Sequence, residues 1–246
     1  MDEGEGGREE RQGQEMKPFR SGHSHKPPYF APGQIDNMCC DELRAVGLLP
    51  ASPEPIRIDR FIEKRFNVSP QYEDMPDGVL GFTRFGKNGV KAVVISAALD
   101  AEGGKVAARR VRTTIAHEGG HGLLHAHLFA LDEIPLHLFD QDSHSGDQIL
   151  CRDVHGDEKK THRYDGRWWE VQANRAMSSL LCPKPLMQEA VEPFLSPAGL
   201  LGVEILTEGR REEAARALAE IFDVNPVVSR IRISEMYPPQ GGQMHL

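Results

Sequence analysis

Thr113-Thr114-Ile115-Ala116-His117-Glu118-Gly119-Gly120-His121 is the segment on which the reading of this chain turns. Two histidines four residues apart on a helix project from one face, one turn above the other, so both imidazoles can reach a single Zn²⁺. Glu118 sits about 100° round the helix from His117 by the 3.6-residue period. That is a poor place for a third ligand and a good one for reaching water beside the metal, which is the mechanical content of the HExxH pattern. The chain has 11 histidines, so a solvated helix face with spare imidazoles could spell the same letters. Gly119 and Gly120 weigh against that reading. Mid-helix, each costs about 1 kcal/mol relative to Ala, and local rules broken without a structural gain tend to mark functional sites.

A catalytic zinc takes three protein ligands and keeps one position open. Glu170, in Trp168-Trp169-Glu170-Val171-Gln172-Ala173-Asn174, is the expected third ligand. It opens a separate helix, from which a carboxylate can approach the two histidines across the core. Asn174, one turn on, is placed to hydrogen-bond the outer nitrogen of a ligand histidine. The bland reading of Glu170 is a first-turn acid favouring the helix dipole. For Trp168 and Trp169 it is that they are ordinary anchors. His127 is a rival ligand, six residues after His121, but the pattern that uses such a histidine needs Gly where Leu124 stands. Leu124 would continue the helix and aim His127 away. His125 shares the face of His121 and is read as a supporting histidine.

Taken together, two separated motifs carry a resemblance. The first is Arg109-Arg110-Val111-Arg112-Thr113-Thr114-Ile115-Ala116-His117-Glu118-Gly119-Gly120-His121-Gly122-Leu123-Leu124-His125. The second is Trp169-Glu170-Val171-Gln172-Ala173-Asn174-Arg175-Ala176-Met177, followed by Leu180-Leu181-Cys182-Pro183. In order and content they resemble the ImmA/IrrE-type metallo-endopeptidases, over roughly residues 56 to 190. Gly119 departs from the bulky apolar residue usual after the Glu, Met177 from a frequent aromatic, and the connection between the motifs is long. The resemblance implies an α+β, zincin-like fold and a cytoplasmic zinc protease. It also implies a protein substrate of the repressor or antitoxin kind.

Outward from the motifs, the pattern changes character. Val79 to Phe85 and Val90 to Ile95 read as strands joined at Lys87-Asn88-Gly89. The long helix is expected over Lys105 to about Leu128, with Val111, Ile115, Gly119 and Leu123 on one stripe. Residues 129 to 165 hold few strand or helix signals and read as a long polar loop. A further helix runs from about Arg167 to Leu181, ended by Cys182-Pro183. Helices are also expected over Asp36 to Val46, Ile56 to Phe66, Arg210 to Phe222 and Pro226 to about Met236. Residues 1 to 34, rich in Gly, Glu, Arg and Gln, cannot bury enough apolar surface to offset their ordering entropy and are expected to be disordered. The expected division is therefore a tail over 1–34, a metallopeptidase domain over 35–195 and a helical region over 196–246.

The formal net charge of −8 disfavours general binding to nucleic acid or to an anionic membrane. No apolar stretch is long enough to span a bilayer. The 4 cysteines, with no CxxC pair, read as reduced thiols of a cytoplasmic protein. Glu118 is expected to act as general base, and Tyr164, His162 and His155 are candidate donors to the developing oxyanion. A competing reading rests on the helix pair over residues 210 to 237. With Arg230 and Arg232 on its second helix, it weakly resembles a helix-turn-helix. That would make the chain a DNA- or repressor-binding regulator with a structural or vestigial zinc site. A toxin-like partner of an antitoxin is a third reading.

Overall fold

The computed structural model describes residues 30–86, 88–127, 148–152, 168–198 and 203–238. Within them the chain is mixed α and β, mostly helical with a small sheet. The elements are α1 (Pro32–Ala45), α2 (Ile58–Phe66), β1 (Gln71–Glu73), β2 (Val79–Gly86), β3 (Gly89–Ser96), α3 (Ala97–Ala101), α4 (Gly104–Leu124) and β4 (Gln148–Arg152). There follow α5 (Trp168–Leu181), α6 (Lys184–Val191), β5 (Ser196–Ala198), β6 (Val203–Ile205), α7 (Glu208–Ile221) and α8 (Pro226–Met236).

The first four-stranded sheet has the order β1-β3-β2-β4. β2 and β3 form the expected antiparallel hairpin, with Gly86 opposite Gly89 and a bulge between Arg84 and Phe85. β1 joins β3 in parallel, and β4 joins β2 antiparallel. β4 is a correction to the reading of residues 129–165 as loop. Strand pairing with β2, which a local pattern does not encode, is what makes Gln148–Arg152 a strand. The remainder of that stretch lies outside the described residues.

β3 is buried from Ala92 to Ser96, because both faces of the sheet are covered. Val93 and Ile95 face the main core, while Phe82, Ala92 and Val94 form a smaller cluster with Met75. Thr83 pairs with Val93 and therefore shares the face turned towards the main core. α4 runs through that core and is buried well beyond one stripe, from Thr114 to Gly122 without a break. α1 starts at Pro32, four residues ahead of the expected Asp36. Pro is pre-organised for a first helical position, and the Gln34 side chain accepts a hydrogen bond from the Ala31 amide at 2.8 Å.

The α7–α8 pair packs into the same apolar core as α1, α4 and α5, through Ala214, Leu218, Phe222, Val228 and Ile233. A buried ionic cluster seals this junction. Arg232 on α8 is fully buried and donates to Asp36 on α1 at 2.8 Å and to the Cys182 carbonyl at 3.0 Å. Ser179 donates to the same Asp36 oxygen at 2.5 Å, and Arg175 bridges Asp36 to Glu235. Burial alone would raise the Asp36 carboxyl; Arg232, Ser179 and Arg175 more than offset it and hold the group below its ordinary value. Cys39, Cys40 and Cys182 are buried free thiols. Among the described residues no helix is long and apolar enough to cross a membrane.

Candidate metal centre

α4 and α5 lie unusually close, and glycine permits it. A Cβ on Gly120 would stand 3.0 Å from both the Ala173 carbonyl oxygen and the Ala176 Cβ. A Cβ on Gly119 would stand 2.9 Å from Ile62 on α2. The two mid-helix glycines that looked wasteful in sequence are thus contact points: α5 and α2 press against the α4 backbone where a methyl group would intrude. That approach carries the first turn of α5 over His117 and His121.

The three donors then converge. His117 Nε2 and His121 Nε2 are 3.0 Å apart. Glu170 Oε2 lies 3.2 Å from the first and Oε1 lies 3.5 Å from the second. Four-coordinate zinc with bonds of 2.0–2.1 Å implies ligand-to-ligand edges of about 3.3 Å. With one ligand atom taken from each residue, all three lie within 4.8 Å of one another, so the residues can close on a single small cation. Both histidines are buried and Glu170 is partly exposed, so the group sits at the edge of the core. His117, His121 and Glu170 could hold a metal ion.

The nitrogens on the far side of each ring settle the tautomers. His117 Nδ1 lies 3.1 Å from Asn174 Oδ1; the oxygen accepts, which leaves Nε2 as the acceptor facing Glu170. Behind the second ligand runs a relay. His121 Nδ1 lies 3.0 Å from His125 Nδ1, and His125 Nε2 lies 3.4 Å from Gln172 Oε1. The Gln172 oxygen accepts from His125 Nε2–H, so His125 Nδ1 accepts from His121 Nδ1–H. His121 Nε2 is then left with its lone pair towards the site. Burial, reinforced by His121, pushes His125 down to about 2, and burial lowers His121 as well. Both rings are therefore neutral at neutral pH, the state a metal ligand needs. Glu170 is held in the opposite sense. Burial would raise it, but the two imidazoles beside it, which donate to it only while Nε2 carries a proton, outweigh burial and lower it in the metal-free chain; a bound cation would take over that role through the Nε2 lone pairs.

Glu118 is fully buried, and burial pushes its carboxyl up to about 8 despite the lowering influence of His117 and Thr83. Oε2 accepts a hydrogen bond from Thr83 Oγ1 at 2.6 Å. Oε1 has no hydrogen-bond partner among the described residues. Next to a divalent cation such a carboxyl loses its proton far more readily.

The structure brings together His117, His121, Glu170, Asn174 and His125, with Glu118 at their side. His127 is not among them: α4 runs on through Leu124, and His127 is exposed and hydrogen-bonds the Leu124 backbone. Trp168 stacks edge-on against His125, with ring centres 5.4 Å apart, and Trp169 packs with Phe85. Tyr164, His162 and His155 lie outside the described residues. Thr83 and Gln172 are the two residues that sequence reasoning did not single out. Gln172 had one signal, its place two residues after Glu170 on a helix turned into the core. Thr83 had only its alternation with Gly81 and Phe85 on one strand face.

The helix pair of the C-terminal region offers little for phosphate. Arg232 is buried in the ionic cluster, and Arg230 is held by both carboxylate oxygens of Glu212, at 2.7 and 2.8 Å. Compared with known proteins, the chain matches no protein-family model and no curated protein sequence.

Proposed function

We propose that this chain is a zinc-dependent metallo-endopeptidase with a zincin-like fold, of the kind the two motifs resemble. It would hydrolyse a peptide bond in a protein substrate, a repressor- or antitoxin-type regulator by that resemblance. The observation that carries the reading is the convergence of His117, His121 and Glu170 within reach of one small cation, with a buried carboxyl, Glu118, beside them. Two imidazoles and one carboxylate form a donor set found in zinc hydrolases. A bound zinc ion supplies Lewis acidity, acidifying water and polarising a carbonyl.

The protein's own groups supply the rest. Asn174 and the His125–Gln172 relay fix both imidazoles with Nε2 facing the site. Glu170 contributes negative charge that favours a cation. Glu118 accepts the proton of the attacking water and returns it to the leaving amine. Thr83 occupies one of its oxygens, which leaves the other for that transfer.

The test begins with metal analysis of protein purified without a tag. One zinc per chain is expected, with His117→Ala and Glu170→Ala losing it. Cleavage of a proteome-derived peptide library, read by mass spectrometry, should be abolished by a chelator and restored by zinc. Glu118→Gln should keep the zinc and lose turnover by roughly 10²–10⁴-fold. Undiminished turnover by that variant, or stoichiometric zinc in Glu170→Ala, would sink the assignment. The regulator alternative has its own reading, a salt-sensitive mobility shift with DNA, and the engagement of Arg230 and Arg232 gives it no support.

A further inference from the structure

The Thr83 hydroxyl touches one residue twice. It lies 2.6 Å from Glu118 Oε2 and 3.1 Å from the Glu118 backbone carbonyl. A buried strand hydroxyl needs only one acceptor to be satisfied, and the backbone carbonyl alone would serve. The shorter contact goes to the side chain. The second contact ties the same hydroxyl to the backbone of α4, so the carboxyl is pinned relative to the helix that also carries His117 and His121.

The strand behind this grip is one of the two central strands of the sheet. β2 is paired on both sides, with Thr83 opposite Val93 on β3 and Ile149 on β4. Thr83 itself is fully buried and β-branched, so its χ1 is stiff. Against this stands a carboxyl with three rotatable bonds. Its other oxygen, Oε1, finds no hydrogen-bond partner among the described residues. Without the hydroxyl, no hydrogen bond among the described residues would orient the group.

Building on the peptidase reading, we propose that Thr83 is a positioning residue: through its hydroxyl it holds the Glu118 carboxylate with Oε2 engaged and Oε1 presented for proton transfer. Both hydrogen bonds of its side chain go to Glu118 and none to the metal ligands. Its contribution lies in the chemical step and not in binding.

Thr83→Val keeps the branched shape and removes the hydroxyl; Thr83→Ser keeps the hydroxyl. With the zinc-loaded full chain and a library peptide it cleaves, Thr83→Val should lose about 10–100-fold in kcat, the range for groups that orient a metal site. KM and zinc content should be unchanged. Thr83→Ser should recover most of the loss, which a purely structural role for the threonine methyl would not allow. Should Thr83→Val fail to fold, Thr83→Ala takes its place. A variant that turns over like the parent while Glu118→Gln is inactive overturns the proposal, as does one that sheds its zinc. If the parent chain cleaves nothing, the peptidase reading fails on its own account. The crystal structure of metal-loaded Thr83→Val still decides the grip, a displaced Glu118 carboxyl supporting it and an undisplaced one overturning it.

Discussion

Glu118 illustrates how a single residue can trade stability for chemistry. Its folded-state value near 8 lies above the ordinary 4.5, so the folded protein prefers the carboxyl protonated. The sign follows from linkage: the preference is harmless below pH 4.5, costs progressively more as pH rises from there to about 8, and is fully felt above. Metal-free Glu118→Gln should therefore be more stable than the parent at pH 8.5, by on the order of a few kcal/mol. The difference should vanish towards pH 4.5. Thermal unfolding of the two chelator-treated proteins across pH checks this; equal stability at all pH values would show that the carboxyl is not desolvated. The relay behind His121 makes a separate claim. His125→Ala removes the acceptor of the His121 Nδ1 proton and should weaken zinc binding by about 10–100-fold, measured by competition with a chromophoric chelator.

Among the elements, the contact between α4 and α5 decides whether a site exists. Gly120 is where the helices touch. Gly120→Ala would place a methyl 3.0 Å from the Ala173 carbonyl and the Ala176 side chain. α5 must then move outward or the chain must bear the strain, at a cost of about 1–3 kcal/mol. Because Glu170 and Asn174 ride on α5 while His117 and His121 stay on α4, the same change should lower zinc affinity as well as stability. Loss of stability with unchanged zinc affinity would place the metal site's tolerance elsewhere. The helices themselves were legible. The i, i+4 histidine pair and the Cys182-Pro183 stop specify α4 and α5 to within a few residues. The small elements β1, β4 and α3 were not, because three to five residues carry too little periodicity to be told from loop.

At the scale of the whole molecule, the first described helix and the last are joined through a buried ionic cluster. Asp36 on α1 meets Arg232 on α8 across the α5 residues Arg175 and Ser179. Removing one member of a buried pair leaves an uncompensated charge and costs about 3–5 kcal/mol. Asp36→Asn should show that loss in denaturant unfolding at pH 7. The sign again follows from the shift. Asp36 is held below its ordinary 3.8, so its stabilisation is complete above that value and fades as pH falls through the lower folded one. The deficit of the variant should shrink correspondingly in acid. Because α5 is gripped by this cluster on one side and by α4 on the other, metal and C-terminal helix report on one another. Zinc should raise the unfolding temperature of the full chain in a single transition. Two transitions, only one of them zinc-sensitive, would show that α7–α8 folds apart from the site.

What the sequence determined by itself is everything that one local period can express. Two imidazoles on one helix face, a carboxyl beside them and a second helix bearing Glu170 and Asn174 follow from 3.6 residues per turn. What only the tertiary structure decided is convergence between parts of the chain far apart in number. Glu170 meets His117 because Gly120 lets two helices close. Thr83 meets Glu118 because β2 packs under α4. Gln172 ends a relay that starts at His121. Arg232, one of the two arginines behind the weak helix-turn-helix resemblance, is engaged by Asp36 in the core. The physical reason is that side-chain direction along a helix or strand is set by backbone geometry within a few residues. Which two faces meet depends on the packing of the entire core.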